Sequence, residues 1–144
     1  MVDIFSAAKR SEIMSRIRST GTRPEDVLFA IVEDTIRGVQ LVRNPSQVIG
    51  TPDIYIPELQ LAFFLDGCFF HGCPWHGHIP KTNEEYWRRK IERNVRRDRR
   101  LRRQLRQQGS SVWRIWEHDV KTKRGRMRAK KTVELALSRC KAYS

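Results

Sequence analysis

The stretch LAFFLDGCFFHGCPWHGH, residues 61–78, decides the fold because it joins a strand to a loop rich in chemically active side chains. Its opening run, Leu61 to Leu65, is continuously apolar, which is typical of a strand buried on both faces of a sheet. Asp66 and Gly67 end this run. The sequence therefore predicts a carboxylate at the end of a central strand, at a place where backbone can approach closely.

Cysteine and histidine side chains are concentrated directly after this strand and suggest a zinc site. The local ligands of the type that zinc prefers are Cys68, Cys73 and His76. His118 is the favoured fourth ligand, because it follows a second strand-like run at 112–117 whose end would lie at the same sheet edge. His78 is the rival, although it would strain a local loop. Free thiols and surface histidines are the simpler alternative to zinc.

Aromatic residues alternate with these ligands. Phe69, Phe70 and Trp75 lie in a loop that is too thin to bury all of them. Rings that project outward from a basic surface can stack on nucleic-acid bases or wedge between them. The alternative is that the rings pack beneath the loop.

Length and charge narrow the class of protein. The chain has 144 residues, enough for one domain over 1–144 with a single core. A net charge of +13 favours a polyanionic partner, of which nucleic acid is the commonest. No apolar run approaches the roughly 18–20 residues of a membrane-spanning helix, so we expect no membrane partner. Three cysteines, two in ligand-like spacing, predict a reducing, cytoplasmic compartment.

The N-terminal part predicts two helices. The first, over 6–18, makes an N-terminal helical arm of about residues 1–20. The second begins at a capping-box pattern, Thr22 to Glu25, and ends near Arg37. Glu25 shares the face of the apolar side chains, so it either caps the helix or directs a carboxylate toward the core.

Two strands, over 40–44 and 50–57, should follow the second helix. Asp53 lies near the start of the second strand, and a tight hairpin leads from there into the central strand. Asp53 and Asp66 can therefore approach each other across neighbouring strands. Paired carboxylates at a sheet edge, beside a phosphate-containing partner, predict a magnesium site.

The longest predicted helix covers 81–108 and carries Asp98 within its apolar stripe. A buried carboxylate needs a partner, which is either an arginine or the otherwise unassigned His71. The outer face is dense with arginine and poor in acidic partners, so it favours a phosphate track that includes Arg96, Arg100 and Arg102. A last strand over 111–118 and an amphipathic helix over 128–143, with Leu135 facing inward, complete the chain.

Five motifs carry a family resemblance. They are TPD at 51–53, DGCFFHGCPWH at 66–76, YW at 86–87, NVRRD at 94–98 and WEH at 116–118. Over about residues 11–118 the chain resembles the very-short-patch repair (Vsr-type) DNA mismatch endonucleases. The resemblance implies a restriction-endonuclease-like α/β/α sandwich with a central mixed sheet and a structural zinc site. It also implies magnesium-dependent nicking 5′ to the thymine of a T:G mismatch in double-stranded DNA, by a monomeric, nucleoid-associated prokaryotic enzyme.

The resemblance assigns roles by position. Asp53 and the backbone carbonyl of Leu65 would bind magnesium, His71 would act as general base, and Asp98 would hydrogen-bond to it. Glu25 would reach the site through water. The implied zinc ligands are Cys68, Cys73, His76 and His118, and the implied DNA wedge is Phe69, Phe70 and Trp87.

Two positions depart from the family pattern. Asp66 stands where some members carry a histidine, which changes the charge at the metal site, although Asp66 remains among the candidate catalytic residues. Phe70 stands where tryptophan is usual. The alternatives are a restriction- or defence-type DNase of the same fold, and a non-catalytic zinc-containing DNA-binding module. The presence of Asp53, His71 and Asp98 argues against the module.

Overall fold

The computed structural model describes residues 23–74 and 78–140. The helices are α1 (Pro24–Thr35), α2 (Glu84–Gln107), α3 (His118–Lys121) and α4 (Lys123–Ser138). The strands are β1 (Val42–Arg43), β2 (Ile54–Ile56), β3 (Leu61–Asp66) and β4 (Ser111–Trp116). The predicted N-terminal arm lies outside the described residues. Within those residues, no helix is both long and apolar enough to cross a membrane.

The strands form a four-stranded mixed sheet in the order β1-β2-β3-β4. The pairs β1–β2 and β2–β3 are antiparallel, whereas β3 and β4 run parallel. In the parallel pair Asp66 lies opposite Trp116, so both strands end at the same edge. The residues that follow each strand, including Cys68 and His118, are brought together there, as the sequence predicts.

Strand β3 is buried on both faces, and this prediction is confirmed. Leu61 and Phe63 point into a core that also contains buried residues of α1 and α4. Ala62 and Phe64 point the other way and pack with Leu105 of α2. Alternate side chains of one strand thus fill two cores. Helices lie on both faces of the sheet, and of the helices in the described residues only α2 lies on the face that carries the site described below.

The structure corrects several boundaries. Strand β2 begins only at Ile54, because Thr51 has a φ of +46° and the next residue, proline, has no N–H for a sheet ladder. Strand β4 ends at Trp116, where α3 follows almost at once. The N-cap of α1 is Arg23, which makes no side-chain capping hydrogen bond, whereas Thr22, on which the predicted capping box depends, lies outside the described residues.

The last helix also differs from the prediction. It begins at Lys123, because the hydroxyl of Thr122 accepts a 2.9 Å hydrogen bond from the Gly125 N–H and caps it. Leu135 was predicted to face inward but is 44% exposed. The buried face is instead defined by Ala129, Val133, Ala136 and Leu137.

Candidate active site

Asp53 lies directly before β2 and is hydrogen-bonded to two residues of β3. Its backbone N–H donates to the carbonyl of Phe63, and its Oδ2 accepts a 2.7 Å hydrogen bond from the N–H of Leu65. Burial raises the pKa of this carboxyl above its ordinary value, and the charges of Asp66 and Glu25 raise it further, against that hydrogen bond and Arg102. Such a half-buried carboxylate, close to other acids, fits a site for a hard divalent cation.

Asp66, only 2% exposed, is held between two arginines. Arg102 donates from Nη2 to Oδ1 and from Nη1 to Oδ2, both at 2.7 Å. Arg114 places its Nε 2.7 Å from the same Oδ2. Burial by itself raises the pKa of Asp66, but the hydrogen bonds and charge of Arg102, with contributions from His71 and Arg114, lower it overall. This carboxylate therefore stays ionised.

The predicted approach of Asp53 to Asp66 is confirmed, but the surroundings of Asp66 were not foreseen. Arg102 was predicted to lie on the outer, phosphate-facing side of α2, and this is wrong, since it is 6% exposed. A guanidinium turns inward here because a buried carboxylate without a partner is costly. Arg114 was missed as well. An arginine inside the apolar run VWRIWE was the available sign that an acid lay on the neighbouring strand.

Replacing Arg102 with methionine should therefore destabilise the fold. The change leaves the buried carboxylate of Asp66 without its buried arginine partner, and we expect a loss of about 3 kcal/mol in the free energy of unfolding. Urea denaturation measures this loss. Arg103→Met, which changes the adjacent exposed arginine, is the matched control and should shift stability by less than about 0.5 kcal/mol. Equal effects of the two substitutions would show that the Asp66 pair does not stabilise the fold.

His71 and Asp98 form a hydrogen-bonded pair. Nδ1 of His71 lies 2.5 Å from Oδ2 of Asp98 and 3.7 Å from Oδ1 of Asp66. The side chain of Asn94 ties the loop to α2 by donating to the carbonyl of Phe70 at 3.1 Å. Gly72, with a φ of +68°, lets the loop lie against Val95, where a Cβ would be only 3.3 Å away. Of the two partners considered for Asp98, the structure selects the histidine.

These side chains share one cavity of about 290 Å³, which lies between α2, the start of β2 and the end of β3. We call it the acidic cavity, and its ionisable lining residues are Asp53, Asp66, His71, Arg97, Asp98 and Arg102. A histidine paired with one carboxylate can take up a proton while a separate carboxylate holds a cation. The arrangement therefore suits hydrolysis of a phosphodiester.

A cysteine–histidine cluster, consisting of Cys68, Cys73 and His118, lies beside the acidic cavity. The Nδ1 of His118 is 3.3 Å from the sulfur of Cys68 and 3.7 Å from that of Cys73. Burial raises the pKa of the Cys68 thiol, and the neighbouring Cys73 adds to the effect. A cation there would favour the thiolates, so these donors fit zinc.

The other two candidate zinc ligands are His76 and its rival, His78. His76 lies outside the described residues. His78, the rival ligand, is not part of the cysteine–histidine cluster; its ring instead lies 5.8 Å from that of Phe69.

An aromatic cluster, consisting of Phe69, Phe70, Tyr86 and Trp87, lies where the loop meets the first turns of α2. Phe69 is 4.9 Å from Phe70 and 5.3 Å from Trp87 between ring centroids. Phe70 is 45% and Tyr86 53% exposed, so the rings pack on one another and also face solvent. The ammonium of Lys90 lies 5.5–5.9 Å from the rings of Phe70, Tyr86 and Trp87. Tyr86 and Lys90 were not predicted as part of this surface.

A mixed sheet packed against an arginine-rich helix, with an acid–histidine pair where the two meet, fits an α/β nuclease. The family model for DNA mismatch endonuclease Vsr matches residues 2–82, more than half of the chain. The chain belongs to this family, and it is a DNA endonuclease.

Individual relatives agree with the family match. Type II nicking enzyme V.NaeI of Lentzea aerocolonigenes is 42% identical over 115 residues, covering 78% of this chain and 69% of the relative. Type II nicking enzyme V.NmeAIP of Neisseria meningitidis serogroup A is 35% identical over 124 residues, covering 85% and 87%. DNA mismatch endonuclease Vsr of Escherichia coli K12 is 33% identical over 122 residues, covering 81% and 74%.

Proposed function

We propose that this chain nicks one strand of duplex DNA 5′ to the thymine of a T:G mismatch, using magnesium in the acidic cavity. The observation that carries the proposal is the hydrogen-bonded His71–Asp98 pair in one cavity with Asp53. Keeping the buried Asp98 and the half-buried Asp53 charged is costly, which argues against a non-catalytic DNA-binding module. The proposal includes the restriction-endonuclease-like form of the α/β/α fold, in one domain with an N-terminal arm.

Magnesium would be held by the carboxylate of Asp53 and the backbone carbonyl of Leu65. When bound, it would stabilise negative charge on the attacking and leaving oxygens of the phosphodiester. Glu25 would contribute through water, which agrees with its charge acting on Asp53 across the site. Asp66 would instead orient its neighbours, because both of its oxygens are engaged by arginine.

His71 would act as the general base. Its Nδ1 faces Asp98, so Nε2 is the ring nitrogen left to accept a proton from the attacking water. The carboxylate of Asp98 would hold the ring in place and stabilise the imidazolium that forms.

Zinc would be structural, bound by Cys68, Cys73, His118 and His76. It would join the end of β3 to the start of α3 and so support the loop that presents His71. We expect one zinc per chain, which elemental analysis of the purified protein measures. A zinc-free protein with full nicking activity would contradict this role.

Mismatch selectivity would come from the aromatic cluster, through the predicted wedge of Phe69, Phe70 and Trp87. A T:G pair is weaker and more deformable than a matched pair, so inserting rings beside it costs less. Bulk affinity would come from exposed arginines of α2 such as Arg96 and Arg100, which carry no base information.

The test compares nicking of otherwise identical T:G and T:A duplexes. We expect preference for T:G, and we expect Phe70→Ala to reduce this preference by on the order of 10- to 100-fold, since base stacking is worth about 1–3 kcal/mol. Met127→Ala is the matched control, because Met127 is also exposed but lies on α4. Equal nicking of both duplexes by the unaltered protein would favour a restriction- or defence-type DNase instead.

A further inference from the structure

We infer that Arg97 is a catalytic residue that binds the phosphate group being cleaved. This role rests on the proposed function and assigns one further contact in the same cavity. The contact is between a guanidinium and the non-bridging oxygens of one DNA phosphodiester.

The first observation is a difference between the two arginines that line the acidic cavity. The side chain of Arg102 is 8% exposed and donates two hydrogen bonds to Asp66. The side chain of Arg97 is 53% exposed, and its Nη2 lies 4.0 Å from Oδ1 of Asp98, beyond hydrogen-bond distance. The guanidinium of Arg102 is therefore occupied by its ion pair with Asp66, whereas the guanidinium of Arg97 can reach an acceptor that enters the cavity.

The second observation is the charge of the cavity. Asp53, Asp66 and Asp98 all line it, and only Asp66 is paired with a buried arginine. A phosphodiester is itself an anion, so it needs a positive charge at the entrance in addition to a metal ion. A guanidinium can bind two phosphate oxygens at once and stabilise the charge that grows on them during reaction.

The third observation is the path that leads to the cavity. Arg97 also borders an exposed groove along α2, together with Lys90, Arg93 and Arg100. Lys90 lies seven residues before Arg97, so both are on one side of the helix, separated by about 10 Å. A strand that leaves the aromatic cluster at Lys90 therefore meets Arg97 as it enters the acidic cavity.

The experiment measures single-turnover nicking with saturating enzyme, and DNA affinity separately. We expect Arg97→Gln to lower the nicking rate by about 10²–10³-fold, the usual effect of removing one donor to a developing oxyanion. DNA affinity should fall by less than about tenfold, because one phosphate contact is a small share of the total. Arg124→Gln removes the same charge from an exposed site on α4 and should leave the nicking rate unchanged.

Two further measurements separate a contact from a structural effect. Added guanidinium, at a non-denaturing concentration, should restore part of the nicking rate of Arg97→Ala and none of that of Asp53→Asn. Arg97→Lys, which keeps the charge but not the two-pronged geometry, should fall between Arg97→Gln and the unaltered protein.

The outcomes are distinct. If Arg97→Gln weakens DNA binding yet nicks at the full rate when saturated, or if guanidinium restores nothing, the inference is wrong. Arg97 is then one more arginine that follows the DNA backbone. If the unaltered protein nicks no duplex, the proposed function itself fails.

Discussion

Replacing Asp53 with asparagine should remove nicking while leaving the fold intact. The amide keeps an oxygen for the N–H of Leu65 but provides no charged ligand for magnesium. Charge stabilisation by a metal ion is worth several kcal/mol, so we expect single-turnover nicking to fall by on the order of 10³-fold or more. DNA binding and zinc content should stay close to those of the unaltered protein.

The pKa of Asp53 adds a second expectation for the same variant. Its pKa is raised in the folded chain by burial and by the charges of Asp66 and Glu25. A carboxyl with a raised pKa stabilises the fold only at low pH, and this contribution is lost as the pH rises through the folded-state value. Without added metal at neutral pH, Asp53→Asn should therefore be at least as stable as the unaltered chain.

Urea denaturation with and without magnesium measures this stability, and a nicking assay on the same preparation measures activity. Glu134→Gln, which alters an exposed acid on α4, is the matched control and should change neither. Nicking by Asp53→Asn at more than about a tenth of the unaltered rate would show that Asp53 is not the principal metal ligand.

Removing either member of the His71–Asp98 pair should lower activity by about 10²–10⁴-fold. His71→Ala removes the general base. Asp98→Asn keeps the shape of the side chain, but an amide cannot stabilise the imidazolium that forms 2.5 Å away. Because the two residues would act as one unit, the double variant should nick no more slowly than about the slower single variant.

Single-turnover nicking with saturating enzyme separates this effect from changes in DNA binding. Either of two results would contradict the proposal that His71 and Asp98 act together in catalysis. Asp98→Asn nicking at the full rate would make Asp98 a buried partner without a part in the chemistry. Losses that multiply in the double variant would show that the two residues act independently.

Local patterns in the chain were enough to predict several features. The apolar run of β3 indicated burial on both faces, because a strand can meet two cores only if consecutive side chains are apolar. The 3.6-residue period of α2 placed Asp98 among apolar neighbours, which restricted its partners. The density of cysteine and histidine after β3 indicated a cluster, and the strand-like run before His118 indicated which distant residue joins it.

Other features depended on contacts between residues far apart in the chain. Arg102 lies among exposed arginines in the sequence, and periodicity alone did not separate it from them. Its inward position follows from Asp66, 36 residues earlier, whose buried charge needs a partner. Leu135 is a different case, because it lies two residues from both Val133 and Leu137, and the helix period itself places it on the side opposite the buried face.

The sequence by itself therefore determined the strand at the centre of the sheet, the acids near its end and the two candidate partners of Asp98. Only the tertiary structure decided which charges are neutralised and which remain available. It commits Arg102 and Arg114 to Asp66, pairs His71 with Asp98 and leaves Arg97 at the rim of the acidic cavity. The physical reason is that the periodicity of a sequence indicates only which face of a helix or strand a residue occupies. Which buried charges form pairs depends on distances between side chains, and these are set by the packing of α2 against β3 and β4.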